Sequence, residues 1–128
     1  MTQARLLLDT HVVLWLLSSS RRVPPEVVAD CVDPRNEVAV SAVVPWEVAI
    51  KRARGKLQAP PDLVDMIGRA GLTPLPISLE HGAAVEALPP LHRDPFDRML
   101  IAQAQVERLT LVTADRRLGD YEVGLRLI

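Results

Sequence analysis

The chain has 128 residues, 48% of them hydrophobic and 24% charged, with 11 prolines and 6 glycines. That length suits one domain with its own core, and so much apolar sequence excludes an intrinsically disordered chain. With 15 Lys+Arg against 16 Asp+Glu the formal net charge is −1, so any nucleic acid must be held by a local basic patch rather than long-range attraction. Leu6-Leu7-Leu8 is a short apolar run that reads as a strand covered on both faces, and it ends abruptly at Asp9. Val12 to Leu17 reads as a helix closed by Ser18-Ser19-Ser20. Asp9 and His11 interrupt the stretch from Leu6 to Leu17, which is too short for a membrane span and too polar for a secretory leader. A cytoplasmic location is therefore expected. Pro24-Pro25 opens a helix over Glu26 to Val32, ended by Asp33-Pro34. It contains Cys31, the single cysteine, which excludes an internal disulfide framework.

Val38 to Val40 is the next buried strand. Ser41 can cap a helix that tolerates Pro45 in its first turn and runs to about Arg54, stopping at Gly55. Pro60-Pro61 and Asp62 begin another helix, ending near Ala70-Gly71. Leu75 to Ile77 is a strand broken by proline, hence an edge strand or a connector. Ser78 caps a helix through Leu88, Pro89-Pro90 makes a turn, and Asp94-Pro95 starts a helix to about Arg108, with proline at its favoured first position. Leu109 to Val112 reads as a strand, and Tyr121 to Ile128 returns as the last strand. Alternating strands and helices predict an α/β fold: one domain over 1–128, with a mainly parallel sheet between helices in three layers.

Ligands bind beyond the carboxyl ends of the strands in such sheets. Asp9 ends the first strand, Ser41 the second, and Thr113 with Asp115 follows Val112. Two helices starting near that edge add Glu47 and Asp97. Glu47 shares an apolar stripe with Val43 and Ile50, although a bridge to Lys51 four residues on explains it as simply. Asp97 shares a stripe with Ile101 and Ala104, and the Asp94–Asp97 spacing also suits a capping arrangement. Asp94 reads as the N-cap with a possible supporting role, and Asp115 could merely cap a short turn. Asp9 is the strongest signal, because a carboxylate ending a triple-leucine strand has few ordinary structural duties. His11, His81 and His92 show no zinc-site spacing. Trp46, Ile50, Ala53 and Leu57 form a stripe that faces the core or a partner.

Carboxylates ~4 Å apart repel by about 4 kcal/mol at an effective dielectric of 20. Several sharing one pocket must regain protons or hold a divalent cation. All-oxygen ligands favour Mg²⁺ or Mn²⁺, ions suited to phosphoester hydrolysis. Lys51, Arg52, Arg54 and Lys56 follow Glu47, while Arg93, Arg98, Arg116 and Arg117 flank the other acids. A solvated helix face explains such runs, and phosphate steering by Lys51, Arg54, Arg93, Arg98 and Arg116 is the functional alternative. With only 3% aromatic residues, base stacking is not their complement.

Four segments, LLLDTH (6–11), SAVVPWE (41–47), LHRDPFDRMLIAQA (91–104) and LVTAD (111–115), together resemble a PIN domain, most closely the VapC type, the toxin of bacterial toxin–antitoxin pairs. The resemblance runs from about residue 6 to residue 128. It implies a Mg²⁺- or Mn²⁺-dependent endoribonuclease in which Asp9, Glu47 and Asp97 match the first three family acids and Asp115 the more variable fourth. Thr113 matches a hydroxyl that supports the site. A homodimer and a VapB-type antitoxin partner are expected on the same ground. Two other readings compete: a catalytically idle interaction domain of the same fold, and a phosphoacceptor receiver domain. The receiver needs a lysine after the last strand, whereas the lysines here are Lys51 and Lys56.

Overall fold

A strand whose successive residues are all apolar needs cover on both faces, and β1 (Arg5–Leu8) receives it: Leu6, Leu7 and Leu8 are all buried. The structure is a computed structural model describing residues 3–128. β1 lies at the centre of a parallel sheet with β2 (Glu37–Ser41), β3 (Thr73–Leu75), β4 (Thr110–Thr113) and β5 (Leu125–Leu127), in the order β3-β2-β1-β4-β5. Register pairs Leu7 with Ala39 on one side and Leu8 with Val112 on the other. The helices are α1 (Thr10–Leu17), α2 (Pro25–Val32), α3 (Val43–Ala53), α4 (Leu63–Arg69), α5 (Leu79–Ala84) and α6 (Pro95–Glu107).

Because side chains alternate along a strand, the sheet builds two cores. Leu6, Leu8, Val38, Val40 and Val112 pack with α1, α2 and α4 on one face. Leu7, Ala39 and Leu111 meet Leu100, Ile101 and Ala104 of α6 on the other. Helix α3 serves both, with Val44 and Val48 in the first core and Val43 in the second. That straddling position carries Glu47 over the carboxyl edge of the sheet.

The expected three-layer α/β architecture is what the chain adopts, with shifts at several boundaries. Helix α1 begins at Thr10, two residues before the expected Val12, because Asp9 caps it. Ser41 does accept the Val43 N–H at 3.0 Å, but the capping position itself is Ala42. The proline-broken strand is an edge strand, as its composition suggested, and lies at Thr73–Leu75 rather than Leu75–Ile77. Pro76 has no N–H to extend the ladder, and Ser78 already caps α5. That helix closes at Ala84 and tightens into a 3₁₀ turn over Val85–Ala87. The last strand is confined to Leu125–Leu127, since Tyr121 is buried and the Val123 N–H turns back onto the Tyr121 carbonyl at 2.9 Å. Gly55 ends α3 in the left-handed region, with φ +67°, where a side chain would be strained. Among the described residues no helix is long and apolar enough to cross a membrane.

Leu7 is fully buried between the central strand and α6. Leu7→Ala should therefore cost about 3 kcal/mol, through lost apolar burial and the cavity left behind. Urea denaturation checks this: the midpoint should fall with the slope unchanged.

Candidate active site

The chain builds β1, β2 and β3 outward in one direction and then crosses to β4 and β5 on the other side. A crevice opens beyond the carboxyl ends where the winding reverses, here between β1 and β4. The Asp9 N–H donates to the Val112 carbonyl at 3.1 Å, which sets the end of β1 beside the end of β4. Asp9 is buried and has a structural duty that its sequence position did not suggest. Its Oδ1 accepts the Val12 N–H at 3.1 Å and caps α1. Its Oδ2 accepts a short hydrogen bond from the Thr113 hydroxyl. The Thr113 oxygen in turn accepts the Asp115 N–H at 3.0 Å, so this buried threonine ties the first acid to the last. Burial is the largest influence on Asp9 and pushes its pKa up, against the lowering effect of Thr113 and Val12.

Glu47 is also buried and fully partnered. Oε1 accepts from the Thr10 hydroxyl at 2.6 Å, and Oε2 forms a short ion pair with Lys51. The bridge expected as the plain alternative thus exists, inside the cluster rather than instead of it. Its hydrogen bond is the main cause that holds the Lys51 ammonium above its usual pKa; Asp94 and Asp97 add to the effect. Thr10 carries no spacing signal of its own and was not singled out from sequence.

At the start of α6, Asp94 is the N-cap, accepting the N–H of Phe96 at 2.8 Å and of Asp97 at 3.2 Å. The Asp97 carboxylate accepts no hydrogen bond among the described residues and lies 3.0 Å from His92 Nε2. Burial first, then the charges of Asp94, Glu47, Asp9 and Asp115, push its pKa from the ordinary 3.8 to about 7. Asp115 goes the other way. Arg117 binds its carboxylate at 3.0 and 2.7 Å and holds its pKa down, while Oδ1 also caps the 3₁₀ turn of Arg116–Asp120.

The four acids therefore interact, but not as the single ligand sphere expected from sequence. Among the described residues no three of Asp9, Glu47, Asp97 and Asp115 bring donor atoms within 4.8 Å of one another. The set that does is His92, Asp97 and Asp115. Asp9 and Glu47 are drawn off by their hydroxyl, amide and lysine partners. His92 was missed because histidine spacing along the chain suggested nothing; the available signal was its place in the loop leading into the Asp94 cap. Carboxylate oxygens and an imidazole nitrogen in this grouping, with one carboxylate that accepts no hydrogen bond among the described residues, fit a divalent cation.

Basic residues divide by position. Lys51 is within the cluster, and Arg93 and Arg116 are exposed beside His92 and Asp115. Arg54 is exposed two turns beyond Glu47 on α3, roughly 10 Å along the axis. Arg98 does not point to the crevice acids: its guanidinium reaches the carbonyls of Pro89 (3.0 Å), Val85 (3.3 Å), Leu88 (3.4 Å) and His92 (3.5 Å). Those contacts make it the anchor of the loop. Trp46 is half exposed, edge-on to Phe96 with centroids 4.7 Å apart.

Folded Asp97 keeps a proton up to about pH 7, the unfolded chain only to 3.8. The raised value favours the metal-free fold fully below the unfolded pKa, and that contribution is lost as pH rises through 7. Asp9 acts in the same sense, whereas the lowered Asp115 contributes above the ordinary carboxylate range and loses its effect in acid. In EDTA, raising the pH from 5 to 8 should remove on the order of 3 kcal/mol of stability. Asp97→Asn should flatten this loss and melt higher than the wild type at pH 8. Parallel pH profiles for the two proteins would refute the assignment.

The family model for the PIN domain matches residues 6–123. Ribonuclease VapC22 of Mycobacterium tuberculosis is 31% identical, over 90% of this chain and 90% of that protein. Among solved structures, VapBC2 from Rickettsia felis bound to a DNA fragment from its promoter matches with a TM-score of 0.73 at 15% identity, covering 95% of this chain and 97% of that one. DNA-bound VapBC from Salmonella typhimurium matches with a TM-score of 0.65 at 17% identity, covering 98% of each chain. At those identities the two structures speak for the fold, and the family model and the VapC22 relative for descent. Together with a five-stranded parallel sheet that gathers acids at its switch point, they place this chain in the PIN-domain family.

Proposed function

We propose that the protein is a metal-dependent endoribonuclease acting as the toxin of a toxin–antitoxin pair, with Asp9, Glu47, Asp97 and Asp115 forming its acidic site. The observation that carries this reading is Asp97, a half-buried carboxylate with four acidic neighbours and no hydrogen-bond donor among the described residues. Similarity to a VapC ribonuclease supplies the substrate class. A bound Mg²⁺ or Mn²⁺ would polarise a phosphoryl oxygen and lower the pKa of a bound water. Asp97 and Asp115 would offer direct donors to it, while Asp9 and Glu47 supply surrounding negative charge. Thr113 holds the Asp9 carboxylate and the Asp115 backbone in one arrangement, and Asp94 fixes the first turn of α6 so that Asp97 faces the crevice. Lys51 balances Glu47, and with Arg54, Arg93 and Arg116 gives the rim positive groups for the RNA backbone.

An antitoxin partner and a homodimer belong to the same reading. An apolar cavity of about 290 Å³ along α1, lined by His11, Leu14, Trp15, Leu57 and Met66 among others, supports a peptide partner beside the crevice. Co-expression with the product of a neighbouring gene and light scattering of the complex test both.

Cleavage of total RNA with Mg²⁺ or Mn²⁺ tests the activity. Asp9→Asn and Asp97→Asn should each lose at least about 100-fold. Equal activity in all three proteins would reject the site. Cleavage of DNA alone would retain the chemistry and reject the substrate. No metal-dependent cleavage, and no saturable heat with Mn²⁺, would favour the idle interaction domain.

A further inference from the structure

We propose that His92 is a direct nitrogen ligand of the divalent cation, forming with Asp97 and Asp115 a mixed imidazole–carboxylate site. The inference rests on the metal-dependent reading above and departs from the all-oxygen site expected from sequence. His92 Nε2 is 3.0 Å from Asp97 Oδ2 and 3.8 Å from Asp115 Oδ2, yet it is a buried nitrogen without a hydrogen bond. Such an atom is destabilising unless something else engages it. The Asp97 carboxylate facing it is equally without a donor. A simple ion pair is the ordinary alternative, but the contact is short in distance and misaligned as a hydrogen bond. Two electron-pair donors side by side suit a shared cation better: adjacent corners of an octahedron with ~2.1 Å bonds stand roughly 3.0 Å apart.

The loop is also built to hold the imidazole before any ion arrives. Arg98 reaches the His92 and Pro89 carbonyls, and Asp94 closes the loop onto the first turn of α6. Asp9 and Glu47, the other candidate donors, have both carboxylate oxygens engaged. A nitrogen ligand shifts preference away from Mg²⁺ and toward Mn²⁺, since imidazole suits transition metals and Mg²⁺ favours oxygen.

Pulsed electron paramagnetic resonance of the Mn²⁺-loaded protein tests this directly. The wild type should show ¹⁴N modulation from a bound imidazole, persisting in His11→Gln and absent in His92→Gln. Titration should show Mn²⁺ binding about ten-fold weaker in His92→Gln, with a smaller change for Mg²⁺. A Mn²⁺ complex without ¹⁴N modulation, or modulation lost in His11→Gln but kept in His92→Gln, would overturn the proposal while leaving the nuclease reading intact. Absence of any saturable Mn²⁺ binding would overturn both. Should His92→Gln fail to fold, His11→Gln decides alone: His81 is held by Ser78, Gln103 and Glu107, which leaves His92 to supply any remaining modulation.

Discussion

Five carboxylates, those of Asp9, Glu47, Asp94, Asp97 and Asp115, meet at the carboxyl edge of one sheet, and the rest of the site is organised by their repulsion. Two carboxylates ~4 Å apart would repel by about 4 kcal/mol at an effective dielectric of 20, more than a surface salt bridge returns. The molecule answers most of this charge locally. Asp9 has Thr113 and the Val12 amide, Glu47 has Thr10 and Lys51, Asp94 has two amides of α6, and Asp115 has Arg117. Asp97 has no such hydrogen bond or close ion pair with Lys or Arg among the described residues, so the repulsion of its four acidic neighbours bears most on this side chain. Burial first and that repulsion second raise its pKa to about 7.

Such a cluster persists because most of the scaffold's stability comes from elsewhere, even though Asp9, Asp94 and Asp115 also cap helical turns. Two apolar cores, one on each face of the sheet, sit behind the edge and hold it rigidly. Helix α3 contributes to both, and its contacts with α1 and α6 tie together the three elements that carry Asp9, Glu47 and Asp97. Stability is supplied by buried leucine and valine, and strain by the acids. Active sites often show this division, because groups arranged for reaction are seldom arranged for stability.

Arg98 illustrates how backbone geometry redirects a charge. Its planar guanidinium offers five donors, and the 3₁₀ turn with the loop that follows presents carbonyls at Val85, Leu88, Pro89 and His92 that can accept from it. Meeting those carbonyls closes the loop and holds His92 against Asp97. The basic residue thereby supports the loop that carries His92.

Much of this was legible along the chain. The triple-leucine strand ending at Asp9, the Asp94-Pro95 helix start and the run into Thr113 and Asp115 report local propensity and periodicity, which are written in neighbouring residues. Those patterns determined the α/β class, the buried strands and the capping role of Asp94, and they singled out four acids near one sheet edge. Tertiary structure decided the rest: that Asp9 also caps α1, that Glu47 and Asp9 are satisfied by Thr10, Lys51 and Thr113, that Arg98 turns inward, and that His92 joins Asp97 and Asp115. Each of these depends on which side chains meet across the sheet edge at distances of a few ångströms. Spacing in sequence carries no such information, because contacts between Thr113 and Asp9, 104 residues apart, exist only once parallel strands are laid side by side.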